Sequence, residues 1–407
     1  MPYDQLLALF NQDIFLAAAG LLILGFIFGR LGNLIRLPRV TGYIIAGIIF
    51  GPSLLKIFSE NSMAQLEFIP QLALGVIALV IGAGLSFSLV KRLGFRLILI
   101  TVLQALGAFI LVLLFLFLFK MPLGAALPLA AIATATAPAA TVAIIREYRS
   151  KGPLTETTLA VVALDDAIAI ILFGLILTLD LKHLSTFGET ALASLSASLT
   201  EILIALIIGV VLGLAAHVLI KMTKELTDSL IIILGIVLLG IGIAAISETS
   251  ALLTNMFLGL TLINVSSKNS EMVVNLEKLT PPIYCFFFVM AGAHLNLKVF
   301  TTAGWTLTIW AIIFVLMRII GKISGAYAGG TLSRAPDAIR KYLGLTLIPQ
   351  AGVAIGLTLL ITKASSFFEF RSLILNITLM AVAFNEIVGP LCTKFALFKA
   401  KEATTKE

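Results

Sequence analysis

The sequence predicts an all-α polytopic membrane protein of about thirteen transmembrane helices. Three observations carry that expectation. Of 407 residues, 60% are hydrophobic and only 12% charged, with a mean hydropathy of +1.11, whereas a globular domain is about 25% charged. Apolar segments of about 20 residues, the length that crosses a bilayer, recur between Gly, Pro and charged punctuation along the whole chain. No period-two alternation competes, so a closed β-barrel is not indicated.

Taken in order, the first apolar segment covers 13–35. It follows Asp4 and Asp13 instead of a basic region and has no clear small-residue cleavage site, so it reads as a retained span, not a signal peptide. Spans follow at 40–57, 66–90, 93–119, 122–145 and 157–179. The stretch 180–198 is too polar to cross and reads as an interfacial connector. The remaining spans are placed at 199–221, 226–247, 249–265, 274–296, 301–331, 339–362 and 370–396.

Charge sets the orientation. Lys and Arg in alternate loops number 20 on one side and 6 on the other, which puts the N-terminus outside and the C-terminus in the cytoplasm. Arg318 and Lys322 belong to neither tally because they fall inside a span. The net charge of +7 is spread singly and in pairs between apolar segments, a topology signal and not a nucleic-acid groove. Cys285 and Cys392 lack CxxC or His-rich surroundings, so neither a disulfide framework nor a zinc site is expected. No nucleophile–base constellation marks an enzyme, and no cofactor is expected.

Chemistry concentrates where polar groups interrupt apolar runs. Asp165 and Asp166 lie adjacent inside an apolar stretch from about Thr158 to Leu179, and each carboxylate at mid-bilayer costs on the order of 2.5–3.5 kcal/mol. The fifth span is broken around Thr134, Thr136, Pro138 and Thr141, and the twelfth around Pro349 and Gln350. Each break precedes a span with an acidic group, Asp165-Asp166 in one half and Glu386 in the other. Matched, Pro/Gly-interrupted helices in two inverted halves point to a midplane binding site. Their unwound backbone frees carbonyls, and such backbone is tolerated at that depth only inside protein or beside a polar cavity. If the breaks cross, half-helix ends face one another and need neutralising. The aspartates can serve one pole, and Arg318, Lys322 and Glu386 the others. A carboxylate in a poorly solvated cavity feels opposing pulls from burial, a like charge and a nearby cation, and so lets protons and a monovalent cation compete for one group. Arg318 and Lys322 stand at i and i+4 on one helical face, and Lys is the one that can lose its charge.

Structural readings stand beside these. The aspartates can cap a broken helix, Arg318 and Lys322 can snorkel to the interface, and the prolines can be simple kinks. Glu386 can neutralise dipoles or pair with Arg318. Thr134, Thr136 and Thr141 can bond back to their own helix. His217, His294, Tyr284 and Phe286–Phe288 read as packing or interfacial anchors, and Gly82, Gly84, Gly209 and Gly213 as helix contacts.

Four stretches together resemble the monovalent cation:proton antiporter-2 family, in its thirteen-span, double-Asp sodium/proton branch. They are Leu37–Pro52, the Thr-Ala-Pro break at 134–141, Leu164-Asp165-Asp166, and Pro349–Gly356. The resemblance implies an inverted-repeat antiporter fold with two crossed, broken helices. Scaffold and dimer helices would lie in 1–92 and, with a linker helix, in 199–296. Core helices would lie in 93–179 and 297–398, the connector at 180–198 and a short cytoplasmic tail at 399–407. It further implies a homodimer in a cell inner membrane and an elevator-like motion. Asp166 would be the residue that holds the metal cation or proton, and Asp165 would pair with Lys322, or failing that with Arg318. The double Asp implies electrogenic exchange of Na+, with Li+ a candidate, for H+. A K+/H+ antiporter is the alternative, and a channel or a Na+-coupled solute symporter stands further off.

Overall fold

The computed structural model describes residues 13–35, 37–84, 87–177, 187–223, 226–266, 269–294, 304–351, 353–355, 357–358 and 369–404. All regular structure among them is helical. Among the described residues, seven helical stretches are long and apolar enough to cross a membrane, one of them the interrupted stretch Leu123–Glu147, and four shorter apolar helices of 10–17 residues accompany them. The chain divides into two compact units, Met1–Phe87 with Leu203–Lys298, and Ser88–Ile202 with Val299–Glu407.

The first unit contains α1 (Ile14–Leu34), α2 (Arg39–Phe50), the short α3 (Glu60–Gln65), α4 (Phe68–Ala83), the later part of α9 (Phe187–Met222), α10 (Leu226–Ile246), α11 (Ala251–Val265) and α12 (Asn269–Ala293). Side-chain caps start several of them. Asp13 accepts from the amides of Phe15 and Leu16 at the head of α1, and Ser250 accepts from that of Leu253 at the head of α11. Packing is carried by glycine. A Cβ on Gly82 of α4 would meet the Met256 carbonyl at 1.8 Å, and one on Gly259 of α11 would meet that of Leu79 at 2.0 Å. The pair α2 and α12 repeats the device, Gly47 against the Val289 carbonyl and Gly292 against that of Ile44. Backbones in lipid approach this closely because small residues let them. Two apolar cores result, one around Leu79, Val237 and Leu258, the other around Leu21, Phe58 and Met290.

The second unit contains α5 (Phe87–Leu118), α6 (Leu123–Thr134), α7 (Pro138–Glu147), α8 (Pro153–Leu177), the start of α9, α13 (Trp305–Leu332), α14 (Asp337–Thr346) and α15 (Arg371–Lys399). Here α5 and α13 cross on glycine, with Gly107 and Gly321 each facing the other's carbonyl at 2.5 Å from a Cβ position.

Several expected boundaries move. The span placed at 40–57 ends as a helix at Phe50, where Gly51 caps it ahead of Pro52. That placed at 66–90 ends at Ala83, with Gly84 as its cap and not as a helix contact. A new helix starts at Phe87 and is kinked at Gly94, whose φ of 50° and ψ of −138° suit only glycine. Of the connector expected at 180–198, residues 187–198 are the helical beginning of α9, and 180–186 lie outside the described residues. Ala, Leu and Glu keep that segment helical despite its serines. The expected span 339–362 is helical only to Thr346 before its break, and 359–362 lie outside the described residues. The tail expected at 399–407 folds back. Lys151 N donates to Glu402 O at 3.0 Å and Thr404 N to Tyr148 O at 3.1 Å, while 405–407 lie outside the described residues.

Candidate functional site: a buried charge cluster at two broken helices

Two interruptions make the site, both in the second unit. After Thr134, Ala135 turns extended (φ −65°, ψ 139°), and the chain stays extended to Ala137 before Pro138 opens α7 at its first turn. Proline suits that position, since its missing N–H would have had no helical partner. On the other strand of the crossing, α14 ends at Thr346 and residues 348–351 are not helical. The two unwound segments touch directly. Ala137 N donates to Pro349 O at 2.8 Å, and Thr141 Oγ1 donates to Thr346 O at 2.9 Å.

Arg318 from α13 serves both breaks. Its Nε donates to Ala133 O at 3.0 Å, and its Nη atoms to Ala135 O at 2.8 Å and Ile348 O at 2.6 Å. Weaker contacts reach Leu347 O and Pro349 O. All of these are carbonyls at or just beyond the C-terminal ends of α6 and α14, each of which carries about half a negative charge. One guanidinium therefore offsets two half-helix dipoles, and its fixed fork suits several acceptors at once. Arg318 is fully buried, so it does not snorkel.

One turn on, Lys322 is also fully buried. Its Nζ donates to Asp165 Oδ2 at 2.8 Å, to Thr136 Oγ1 at 2.9 Å and to the Thr134 carbonyl. Asp165 completes its shell with Thr136 Oγ1 and Gln104 Nε2. Between the two candidate partners for Asp165 the structure puts Lys322 in contact, while Arg318 goes to carbonyls instead. Arg318, the second choice for that pairing, instead lies at the half-helix poles, because the free carbonyls of both breaks claim its donors.

Asp166 differs from its neighbour. It is 1% exposed, yet among the described residues neither carboxylate oxygen has a hydrogen-bond partner. Adjacent helical residues point about 100° apart, which separates the two shells. Arg318 is engaged by two helix ends and Lys322 by Asp165, which leaves the Asp166 oxygens directed at no protein donor among the described residues. A buried carboxyl so placed can be satisfied by a monovalent cation or by a proton.

The remaining expected ligands take mixed places. Thr134 bonds back to Ala131 O through its hydroxyl and contributes only its carbonyl, to Lys322. Gln350 Nε2 donates to Ile132 O at 3.0 Å. Glu386 does not join Arg318. It is 2% exposed, and among the described residues both its oxygens lack partners. Sequence reasoning missed Gln104, which braces Asp165 from α5, and Asn385, which donates to Gln350 Oε1 at 2.9 Å. It also missed the Thr158–Thr346 hydroxyl pair at 3.0 Å. The one signal for Gln104 was an amide alone in an apolar helix, the type of residue that membrane interiors admit for a reason.

Comparison with known proteins places this geometry. A solved structure of the sodium proton antiporter MjNhaP1 from Methanocaldococcus jannaschii at pH 8 aligns with a TM-score of 0.68 over 95% of this chain and 99% of that one, at 18% identity. An electron-microscopy structure of the same antiporter gives 0.68 at 19% identity, over 95% and 94%. At such identity the likeness is one of fold. A putative cation/proton antiporter, YbaL, of Escherichia coli (strain K12) is 40% identical over 82 residues. An uncharacterized protein in the phaC 3' region of Methylorubrum extorquens is 39% identical over 95 residues. These matches cover 20% and 21% of this chain, which spans 14% and 33% of the two relatives' lengths. The profile of the family described as sodium/hydrogen exchanger, transmembrane matches residues 16–399. The chain therefore belongs to the transmembrane sodium/hydrogen exchangers, a family of cation/proton transporters and not of enzymes.

Proposed function

We propose that the protein exchanges Na+ for H+ across the membrane, with both ions competing for Asp166. A single observation carries this reading. Asp166 is a buried carboxylate with no protein partner among the described residues, beside an Asp165–Lys322 pair and an Arg318 that are fully engaged. With Na+ bound, the carboxylate is ionised and shares the charge of the ion. With the proton bound, it is neutral and has no hold on Na+. Both filled states remove the uncompensated charge, and the empty state does not, which couples the two fluxes. Lys322 and Thr136 hold Asp165 in place, and Asp166 is the group of the pair that changes partner.

In this reading the second unit is the core that carries the site in an elevator-like motion, and the first unit is the scaffold of a homodimer. Thirteen crossings put the N-terminus outside and the C-terminus in the cytoplasm of a cell inner membrane, in line with the distribution of Lys and Arg. The exchange is electrogenic, moving more than one proton per Na+. YbaL, a putative cation/proton antiporter, is named without a specific cation, and K+ is the second reading. The test is reconstitution into proteoliposomes, with an imposed Na+, Li+ or K+ gradient driving a change of lumenal pH. Na+-driven exchange that Asp166→Asn abolishes is the expected result. Wild-type exchange rates in that variant, or proton flux indifferent to every alkali cation, overturn the proposal.

A further inference from the structure

A second buried carboxylate stands outside the Asp165–Lys322 cluster. Glu386, near the middle of α15, is 2% exposed, and among the described residues neither of its oxygens has a hydrogen-bond or ion-pair partner. Pro390 lies inside the same helix, four residues on. Lacking an N–H, it cannot donate to the Glu386 carbonyl, as the residue at that position in a regular helix would. The side-chain oxygen of Asn385 is likewise buried and unpartnered, because its amide nitrogen is turned to Gln350. The neighbourhood therefore leaves several buried acceptor atoms without a partner among the described residues. In a membrane interior, acceptors without donors are satisfied by a cation or by protonation.

The charged groups on the elements packed against α15 are accounted for. On α13, Arg318 bonds to carbonyls and Lys322 to Asp165. On α14, Asp337 pairs with Arg340 and Lys341. Arg146 and Glu147 end α7, and α6 has no charged residue. On α15 itself, Lys394 is about 12 Å along the helix axis from Glu386. Glu386 has no counter-ion among them, yet the residue beside it is tied to the transport site. Asn385 donates to Gln350 at 2.9 Å, and Gln350 donates to Ile132 O two residues before the end of α6.

We propose that Glu386 carries a second proton through the exchange cycle, bound as its carboxyl O–H on the side where Na+ leaves Asp166 and given up on the side where Na+ enters. This rests on the antiport reading above and deepens it. Asp166 trades one Na+ for one H+ with no net charge, and Glu386 moves a further H+ in the same direction as the first. The cycle then carries one net positive charge against the movement of Na+. No redox partner or further reactant is needed, since each proton comes from and returns to water.

The experiment uses full-length protein in proteoliposomes, with two drives. One is a Na+ gradient at zero membrane potential, and the other is a K+/valinomycin potential with no Na+ or pH gradient. Wild type is expected to respond to both. Glu386→Gln is expected to retain Na+-gradient exchange and lose the response to potential, while Glu386→Asp keeps both. Wild-type exchange that ignores potential, or a Glu386→Gln variant that still responds to it, overturns the proposal. So does a second Na+ in equilibrium binding that Glu386→Gln removes, since the site would then hold the alkali ion instead. If Glu386→Gln is not recovered as monodisperse protein, infrared difference spectra of wild type and Glu386→Asp decide. A protonated-carboxyl band that moves between the two is expected, and no such band overturns the assignment. Failure of wild type to exchange any alkali cation for protons would instead strike the antiport reading.

Discussion

Lys322 Nζ lies 2.8 Å from Asp165 Oδ2, and neither side chain exposes any surface. A pair of this kind is weak evidence for stability while intact, but removing one partner strands a charge at a cost of about 3–5 kcal/mol. Lys322→Ala is accordingly expected to lower the unfolding temperature in detergent and to impair exchange. Lys322→Ala combined with Asp165→Asn should recover much of the lost stability without restoring transport. Thermal unfolding of the four proteins of this double-mutant cycle, alongside transport, checks it.

Asp166→Asn should behave in the opposite way. Its oxygens hold no protein donor among the described residues, so replacing one of them breaks no bond while ending the competition between Na+ and H+. Unfolding temperature within error of wild type, together with lost exchange, is the expected outcome. A large loss of stability would assign Asp166 a structural role.

Arg318→Lys should not be a mild change. Three close carbonyl contacts, to Ala133, Ala135 and Ile348, depend on the guanidinium fork, and each hydrogen bond from a charged group is worth about 1.5–3 kcal/mol. Lysine can satisfy only part of that set. Destabilisation in thermal unfolding, with faster hydrogen exchange at the Ala137 amide, would be the signature.

The visible and hidden parts of this site divide for physical reasons. Asp165, Asp166, Arg318 and Lys322 stand out because charge in an apolar run is costly, and Pro138 and Pro349 because they interrupt helix. Which cation meets which partner was not legible, since Arg318 and Lys322 are one turn apart on the same face and only the carbonyls of both breaks, brought together in space, sort them. Gln104 and Asn385 carry no periodic signal. Apolar residues recur past Ala83 at Leu85, Phe87, Leu89 and Val90, so hydropathy alone hides the end of α4, which Gly84 marks. The start of α9 reads as polar although its Ala, Leu and Glu are good helix formers.

The close glycine contacts make a further prediction. Gly82→Val would drive a side chain into the Met256 carbonyl, 1.8 Å from the Cβ position. Overpacking of this kind costs about 1–3 kcal/mol, and here backbone would have to move. Gly242, which has nothing within 4 Å of its Cβ position, should accept alanine without loss. Comparing the yield and melting of the two variants tests whether α4 and α11 are held by backbone contact.

The tail contact makes one more. Glu402 accepts from the amides of Leu154 and Thr155 and from the Thr155 hydroxyl, each at 2.7 Å, at the head of the helix that bears Asp165 and Asp166. Glu402→Ala should cost about 0.5–2 kcal/mol as a lost cap and speed exchange of those two amides. Gly152→Ala should do the same, since a methyl there would fall 2.4 Å from the Glu402 carboxyl carbon.

Because Arg318 grips the severed ends of α6 and α14 together, neither can be displaced alone without tearing carbonyls from their one shared cation. Whatever travel the crossing undergoes, it makes as a single rigid knot, with the Asp165 anchor one helical turn away drawn along by the same α13.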